Sequence, residues 1–168
     1  NKLDALKSEY FSRFKKIGLL DLVNNEIETV ERLGSEIAPV QIYLDYNRIK
    51  EIPDNEGGEI LFTMDDVEAF SVSHNMLEVF PDVFDAKSIF TIGSVDFSYN
   101  NIDRISGGDD FKGINVKTLS LASNKFTEYP LEFTHSNSVV SVYNFRGNGM
   151  RTIDKDAFDY TKPNRDKL

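Results

Sequence analysis

Cysteine is absent from the 168 residues, so the chain holds no disulfide and no thiolate-bound metal, and cysteine usage says nothing of its redox compartment. Tryptophan is absent as well, and no apolar run reaches the roughly 18 residues a membrane-crossing helix needs. Basic charge is scarce: 19 Lys and Arg stand against 28 Asp and Glu, a formal net charge of −9. Such a surface repels a phosphate backbone unless it carries a local basic patch. The densest basic run, Arg13 to Lys16, falls in a segment with helical spacing, so no nucleic-acid partner is expected. The opening residues lack an initiating Met and the basic-then-apolar layout of a signal peptide, and no Asn-x-Ser/Thr acceptor occurs. The chain therefore reads as processed or excised from something longer.

What is present is a pattern. With 40% hydrophobic residues the chain suits one domain with a continuous core. Aligned on asparagine, it shows five copies of a template with apolar residues at positions 1, 4 and 6, Asn at 9, and apolar residues again at 11 and 14. The asparagines are Asn47, Asn75, Asn100, Asn124 and Asn148, at intervals of 28, 25, 24 and 24 residues. Around Asn124, for example, the apolar set is Val116, Leu119, Leu121, Phe126 and Tyr129. The copy at Asn47 carries Pro39 at position 1, which suits an early, atypical unit.

Positions 4 and 6 point to one face of a short strand and position 5 to the other. A single such strand cannot bury its face. Stacked copies pair their strands in parallel and share one core, each unit stabilised by its neighbours. Where the chain leaves the strand, backbone groups would enter the core unpaired, at about 1–3 kcal/mol each. A side-chain amide both donates and accepts, so a column of asparagines can satisfy these groups turn after turn. The five asparagines are accordingly expected to be structural.

This spacing resembles the leucine-rich repeat, LxxLxLxxNxLxxL with a period of about 20–29 residues, over residues 39 to 160. The resemblance implies an α/β, right-handed solenoid with a parallel concave sheet and irregular convex segments. Pro53, Pro81 and Pro130 follow position 14 directly, where a residue without an N–H suits the turn to the convex side. Phe84, Phe111, Phe133 and Phe158 recur nine to eleven residues after their Asn, as a core column beneath that side.

Residues 1–38 admit two readings. Ile17, Leu20, Leu22, Asn25, Ile27 and Val30 match the template and would make a sixth repeat. Leu3, Leu6, Tyr10, Phe14 and Ile17 follow helical spacing instead, and Leu19 and Val23 would be apolar on the outward strand face. The favoured division is an N-terminal helical cap over 1–38 and about five repeats over 39–168. The stretches "DNEGGEILFTMDD" and "SGGDDFKG" read as surface loops, either spacers or binding loops.

The concave face is the usual docking surface of a repeat solenoid. Its outward positions 5, 7 and 8 include Tyr43, Asp45, Tyr46, Ser71, His74, Asp96, Tyr99 and Arg146. Tyr43, Tyr46, His74 and Tyr99 form a candidate aromatic cluster for a protein or peptide, rimmed by Asp45 and Asp96. The alternative is that Tyr here reflects β propensity and cross-strand packing alone. His74 with Ser71, Ser73 and Asp45 superficially lists a catalytic set, but an open sheet offers no buried orienting carboxylate or oxyanion hole. His74 reads as a solvated histidine. The acidic pairs Asp65/Asp66 and Asp109/Asp110 lack calcium-loop spacing, and no cofactor or metal is expected.

The resemblance implies a non-catalytic protein-interaction module, with no membrane insertion by this chain and a monomeric domain. The Cys-free composition is most similar to bacterial, Bacteroidetes-type repeat proteins, which implies a cell-surface or secreted location, with a cytoplasmic one left open. The alternatives are a structural spacer of a larger surface protein, or the recognition part of an enzyme whose catalytic domain lies elsewhere.

Overall fold

The computed structural model describes residues 2–14, 16–34, 37–54, 61, 67–84, 91–108, 111–136, 138–155 and 157. The alternation within each copy produces a strand: β2 (Lys16–Asp21), β4 (Ala38–Tyr43), β5 (Ala69–Ser71), β7 (Ile92–Asp96), β9 (Asn115–Ser120) and β10 (Val139–Asn144). These six form one parallel sheet in the order β10-β9-β7-β5-β4-β2. The register aligns position 4 throughout, pairing Leu20 with Ile42, Ile42 with Phe70, Phe70 with Val95, Val95 with Leu119, and Leu119 with Tyr143. The chain is thus a parallel-sheet solenoid of about five turns. On the returning side, short strands pair in the same sense: β1 (Ala5–Leu6) with β3 (Thr29–Val30), and β6 (Val79–Phe80) with β8 (Arg104–Ile105).

Positions 4, 6 and 11 of the inner turns are buried, each side chain contributing about 1.5–3 kcal/mol by leaving water. Phenylalanine fills the interior. Phe80 is fully buried, with ring centroids 5.8 Å from Phe84, 4.8 Å from Phe97, 6.3 Å from Phe111 and 5.6 Å from Phe133. Phe158, the acidic pairs Asp65/Asp66 and Asp109/Asp110, and most of the first of the two inserted stretches lie outside the described residues.

Each template asparagine bridges two turns. The Asn75 Nδ2 donates to the carbonyls of Val72 in its own turn and Leu44 in the turn before, at 3.1 and 3.0 Å. Its Oδ1 accepts the Ile49 N–H at 2.9 Å. Asn47, Asn100, Asn124 and Asn148 repeat the arrangement, accepting from Ile27, Leu77, Ile102 and Phe126.

The helical cap expected over residues 1–38 is not formed. Among the described residues of that segment the one helical turn is 3-10, Ser8–Phe11, and Arg13 and Lys16 flank the entry to β2. Residues 17–30 instead make a further repeat, with Ile17 beside Pro39 and Leu20 beside Ile42. Asn25 Nδ2 donates to Leu22 O at 2.9 Å, as a template asparagine should. The Glu26 N–H donates to Leu3 O just as the Arg48 N–H donates to Ile27 O, at 3.0 and 2.8 Å. Leu3 and Leu6 therefore stand at positions 11 and 14 of a preceding turn. Their spacing of three imitates one turn of helix, which is why helical periodicity misled. Tyr10 and Phe14 are exposed, whereas Phe11, off the helical pattern, is buried. The apolar Leu19 is 54% exposed, so an outward strand position here tolerates a leucine.

A second bridging column lies beyond the prolines. Asp54 Oδ1 accepts the Asp82 N–H at 2.7 Å, and its Oδ2 accepts from the Ser106 hydroxyl. Asp82 in turn accepts from the Lys112 N–H at 3.4 Å. Asp54→Ala removes both bonds and leaves the Asp82 amide without its acceptor. Urea unfolding should show a loss of about 1–3 kcal/mol, and a loss below the error of the fit would show that water replaces the carboxylate freely.

Candidate functional site

Position 8 lies three residues past the end of each concave-side strand and has a backbone requirement of its own. Asn24, Tyr46, His74, Tyr99 and Ser123 all adopt the left-handed conformation, with φ between 53° and 57°, and Gly147 follows at 76°. The bend is held from both sides. The N–H groups of Tyr46, His74 and Tyr99 donate to Ser73 O, Ser98 O and Ala122 O in the next turn, at 3.1, 3.0 and 2.9 Å. One step earlier, Asp21, Asp96 and Asn144 at position 5 cap the N–H groups of Val23, Ser98 and Arg146 at position 7.

Glycine and asparagine are the residues that adopt this conformation most readily, and Gly147 and Asn24 occupy it in the outer turns. The inner turns place large rings there instead, at a cost of about 1–2 kcal/mol per residue. The rings form a continuous stack. Tyr46 and His74 lie with centroids 4.1 Å apart, and His74 and Tyr99 4.2 Å apart, each pair tilted by 9°. Tyr46 and Tyr99 remain about half exposed, at 52% and 53%, while His74 between them is half-buried.

Of the aromatic cluster read from the sequence, three members meet in this stack and the fourth does not. Tyr43 stands at position 5, in register with Asp21 on one side and Ser71 on the other, and among the described residues it makes no ring contact. Asp45 and Asp96 are engaged in holding turns. Asp45 Oδ1 accepts from the Ser71 hydroxyl, the Ser73 N–H at 2.8 Å and the Ser73 hydroxyl at 2.6 Å. Asp96 Oδ1 accepts the Ser98 N–H at 2.8 Å. The carboxylate that would have to orient His74 in a catalytic set is thus bonded to the two serines, and the imidazole lies between tyrosine faces. His135, the other imidazole, is exposed at the end of a four-residue helix, α1 (Glu132–His135). Arg146 is exposed in the last turn, beside Ser123, whose N–H donates to its carbonyl at 2.7 Å.

Sequence reasoning missed the left-handed column and the carboxylate caps. Asn24 and Gly147, aligned with Tyr46, His74 and Tyr99, carried the signal for the first. Among the described residues no group of three or more His, Asp or Glu side chains is placed to hold a metal ion, and no helix is long and apolar enough to cross a membrane.

No protein-family model matches the sequence, and no curated protein matches it. Solved structures do. A leucine-rich repeat protein from Bacteroides thetaiotaomicron shares 38% identity over 94% of this chain, with a TM-score of 0.79. A leucine-rich repeat protein from Bacteroides eggerthii shares 35% identity over 94% of this chain, with a TM-score of 0.77. The chain spans 19% and 26% of the length of those two proteins.

Proposed function

Because the chain is a leucine-rich-repeat protein similar to those of Bacteroides, we propose that it is a non-catalytic interaction module that binds a protein or peptide on its concave face. The observation that carries the reading is the exposed Tyr46–His74–Tyr99 stack in a strained backbone conformation. Non-glycine residues held in such conformations concentrate at ligand clamps, and half-exposed tyrosine offers contact area at low entropic cost. Ser71, Asp96 and Arg146 supply polar groups on the same face for orientation. The reading extends to a cell-surface or secreted location, supported by the Bacteroides origin of the similar structures; recovery of the protein only from the cytoplasmic fraction of its source cells would overturn that part.

The test is affinity capture from the surroundings of the source organism, comparing the wild type with Tyr43→Ala/Tyr46→Ala/Tyr99→Ala after circular dichroism shows both folded. A partner held by the wild type and lost by the variant is the expected result. A partner held equally by both would move binding to the loops or convex side. Capture of nothing by either would favour a structural spacer.

A further inference from the structure

Among the described residues the aromatic stack is capped at neither end by a ring. One face of Tyr99 is covered by His74, so its other face looks along the solenoid towards the next turn, where position 8 is Ser123. The position after that is Gly147, which has no side chain. A Cβ built on Gly147 would come within 3.0 Å of the Ser123 Oγ, so the two turns lie close. Ser123 is too small to cover a tyrosine ring, and Gly147 covers nothing. The column that is filled by rings for three turns is therefore open for two, at the same spacing and on the same backbone.

The charge around this opening differs from that of the rest of the face. At the opposite end the ladder meets Asn24, with Asp21 in the same turn and Glu26 paired with Arg48 at 3.7 Å. At the open end stand Lys125 and Arg146, both exposed, and neither guanidinium nor ammonium has an ion pair among the described residues. In a chain of net charge −9 these are local cations beside an uncovered aromatic face.

We infer that the open face of Tyr99, above Ser123 and Gly147, is a stacking slot for one aromatic side chain of an acidic peptide segment. This rests on the proposal that the concave face binds a protein or peptide, and it specifies the ligand. The incoming ring continues the ladder as its fourth member, and a carboxylate adjacent in the ligand pairs with Arg146 or Lys125. An offset-stacked ring adds between about twofold and tenfold to binding beyond its area.

The chain's lack of tryptophan makes the test direct, because indole fluorescence then reports only the probe. The probe is acetyl-Asp-Trp-Asp-amide, with acetyl-Lys-Trp-Lys-amide as the charge control. The wild type should bind the acidic probe and shift the amide resonances of Ser123 and Gly147. Ser123→Tyr fills the slot from within, at a position whose neighbour in the preceding turn, Tyr99, already carries a ring, and should weaken the probe about tenfold. Arg146→Glu should weaken it as well, while Phe14→Ala, an exposed ring in the first residues of the chain, should leave it within about twofold. Equal binding of both probes, equal binding by Ser123→Tyr, or resonance shifts away from Ser123 and Gly147 would each overturn the slot. If Ser123→Tyr does not fold, the wild-type shifts decide alone. Failure here with a captured partner still dependent on Tyr46 and Tyr99 would remove the slot and leave the concave-face reading in place.

Discussion

Asn75→Ala lowers the stability of the chain by about 2–4 kcal/mol in urea unfolding, a large part of the roughly 5–15 kcal/mol that holds a typical domain together. The magnitude follows from how its bonds are shared. Leu44 O keeps a second amide, that of Asn47 at 2.9 Å, and Val72 O keeps that of Asn100 at 3.1 Å. The Ile49 N–H has no such reserve, since Asn75 Oδ1 is its acceptor in a buried site. Most of the cost therefore sits on one orphaned backbone donor. Asn75→Asp checks this division. It returns an acceptor to Ile49 but sets a carboxylate oxygen against the carbonyls of Leu44 and Val72, so it should be no better than alanine. Recovery by aspartate would mean that the donor half of the amide contributes little.

Phe80→Ala is expected to cost about 3–5 kcal/mol, because the ring is fully buried among four others and the cavity cannot be closed by any one of them moving. Phe84 shares the Asn75 turn with Phe80, Phe97 and Phe111 belong to the Asn100 turn and Phe133 to the Asn124 turn, so the loss is spread over contacts across three turns and should appear as a lowered midpoint for the whole transition. Phe14→Ala provides the contrast. That ring is 54% exposed, and its removal should change stability by less than about 0.5 kcal/mol. Similar costs for the two would contradict the packing described. So would a Phe80 variant in which some turns unfold at the wild-type midpoint.

The repeats were legible because two periodicities coincide in them: the two-residue alternation of a strand and the 24-to-28-residue return of asparagine. Neither depends on knowing the neighbours of a residue. The first turn was misread because positions 11 and 14 are spaced as a helix spaces its buried face, so Leu3 and Leu6 satisfy both patterns. Leu19 argued against a strand only on the premise that outward positions must be polar, and its exposure shows that a single surface leucine is tolerated. Asp45 and Asp54 were illegible for another reason. Their roles depend on which residues of the adjacent turn fall beside them, Ser71 and Ser73 for one, Asp82 and Ser106 for the other. That adjacency is set by the register across 26 to 52 residues of sequence. The aromatic residues at position 8 were found by type, but their parallel stacking follows from the shared left-handed backbone, which residue type alone does not reveal.

The asparagine column has a direction. Each amide serves the turn before its own, so the N–H groups of Ile27, Ile49, Leu77, Ile102 and Phe126 are each closed by a side chain that arrives 20 to 26 residues later. Fraying from the two ends is then unequal. When the last turn lifts away it takes Asn148 with it and opens the Phe126 amide to solvent, whereas loosening of the first turn leaves the Ile49, Leu77, Ile102 and Phe126 amides closed and bares instead the Arg48 N–H, which donates to Ile27 O. Hydrogen exchange at these five amides consequently times the departure of the following turn, not the melting of the turn that contains them, and their order of exchange gives the sequence in which the solenoid comes apart.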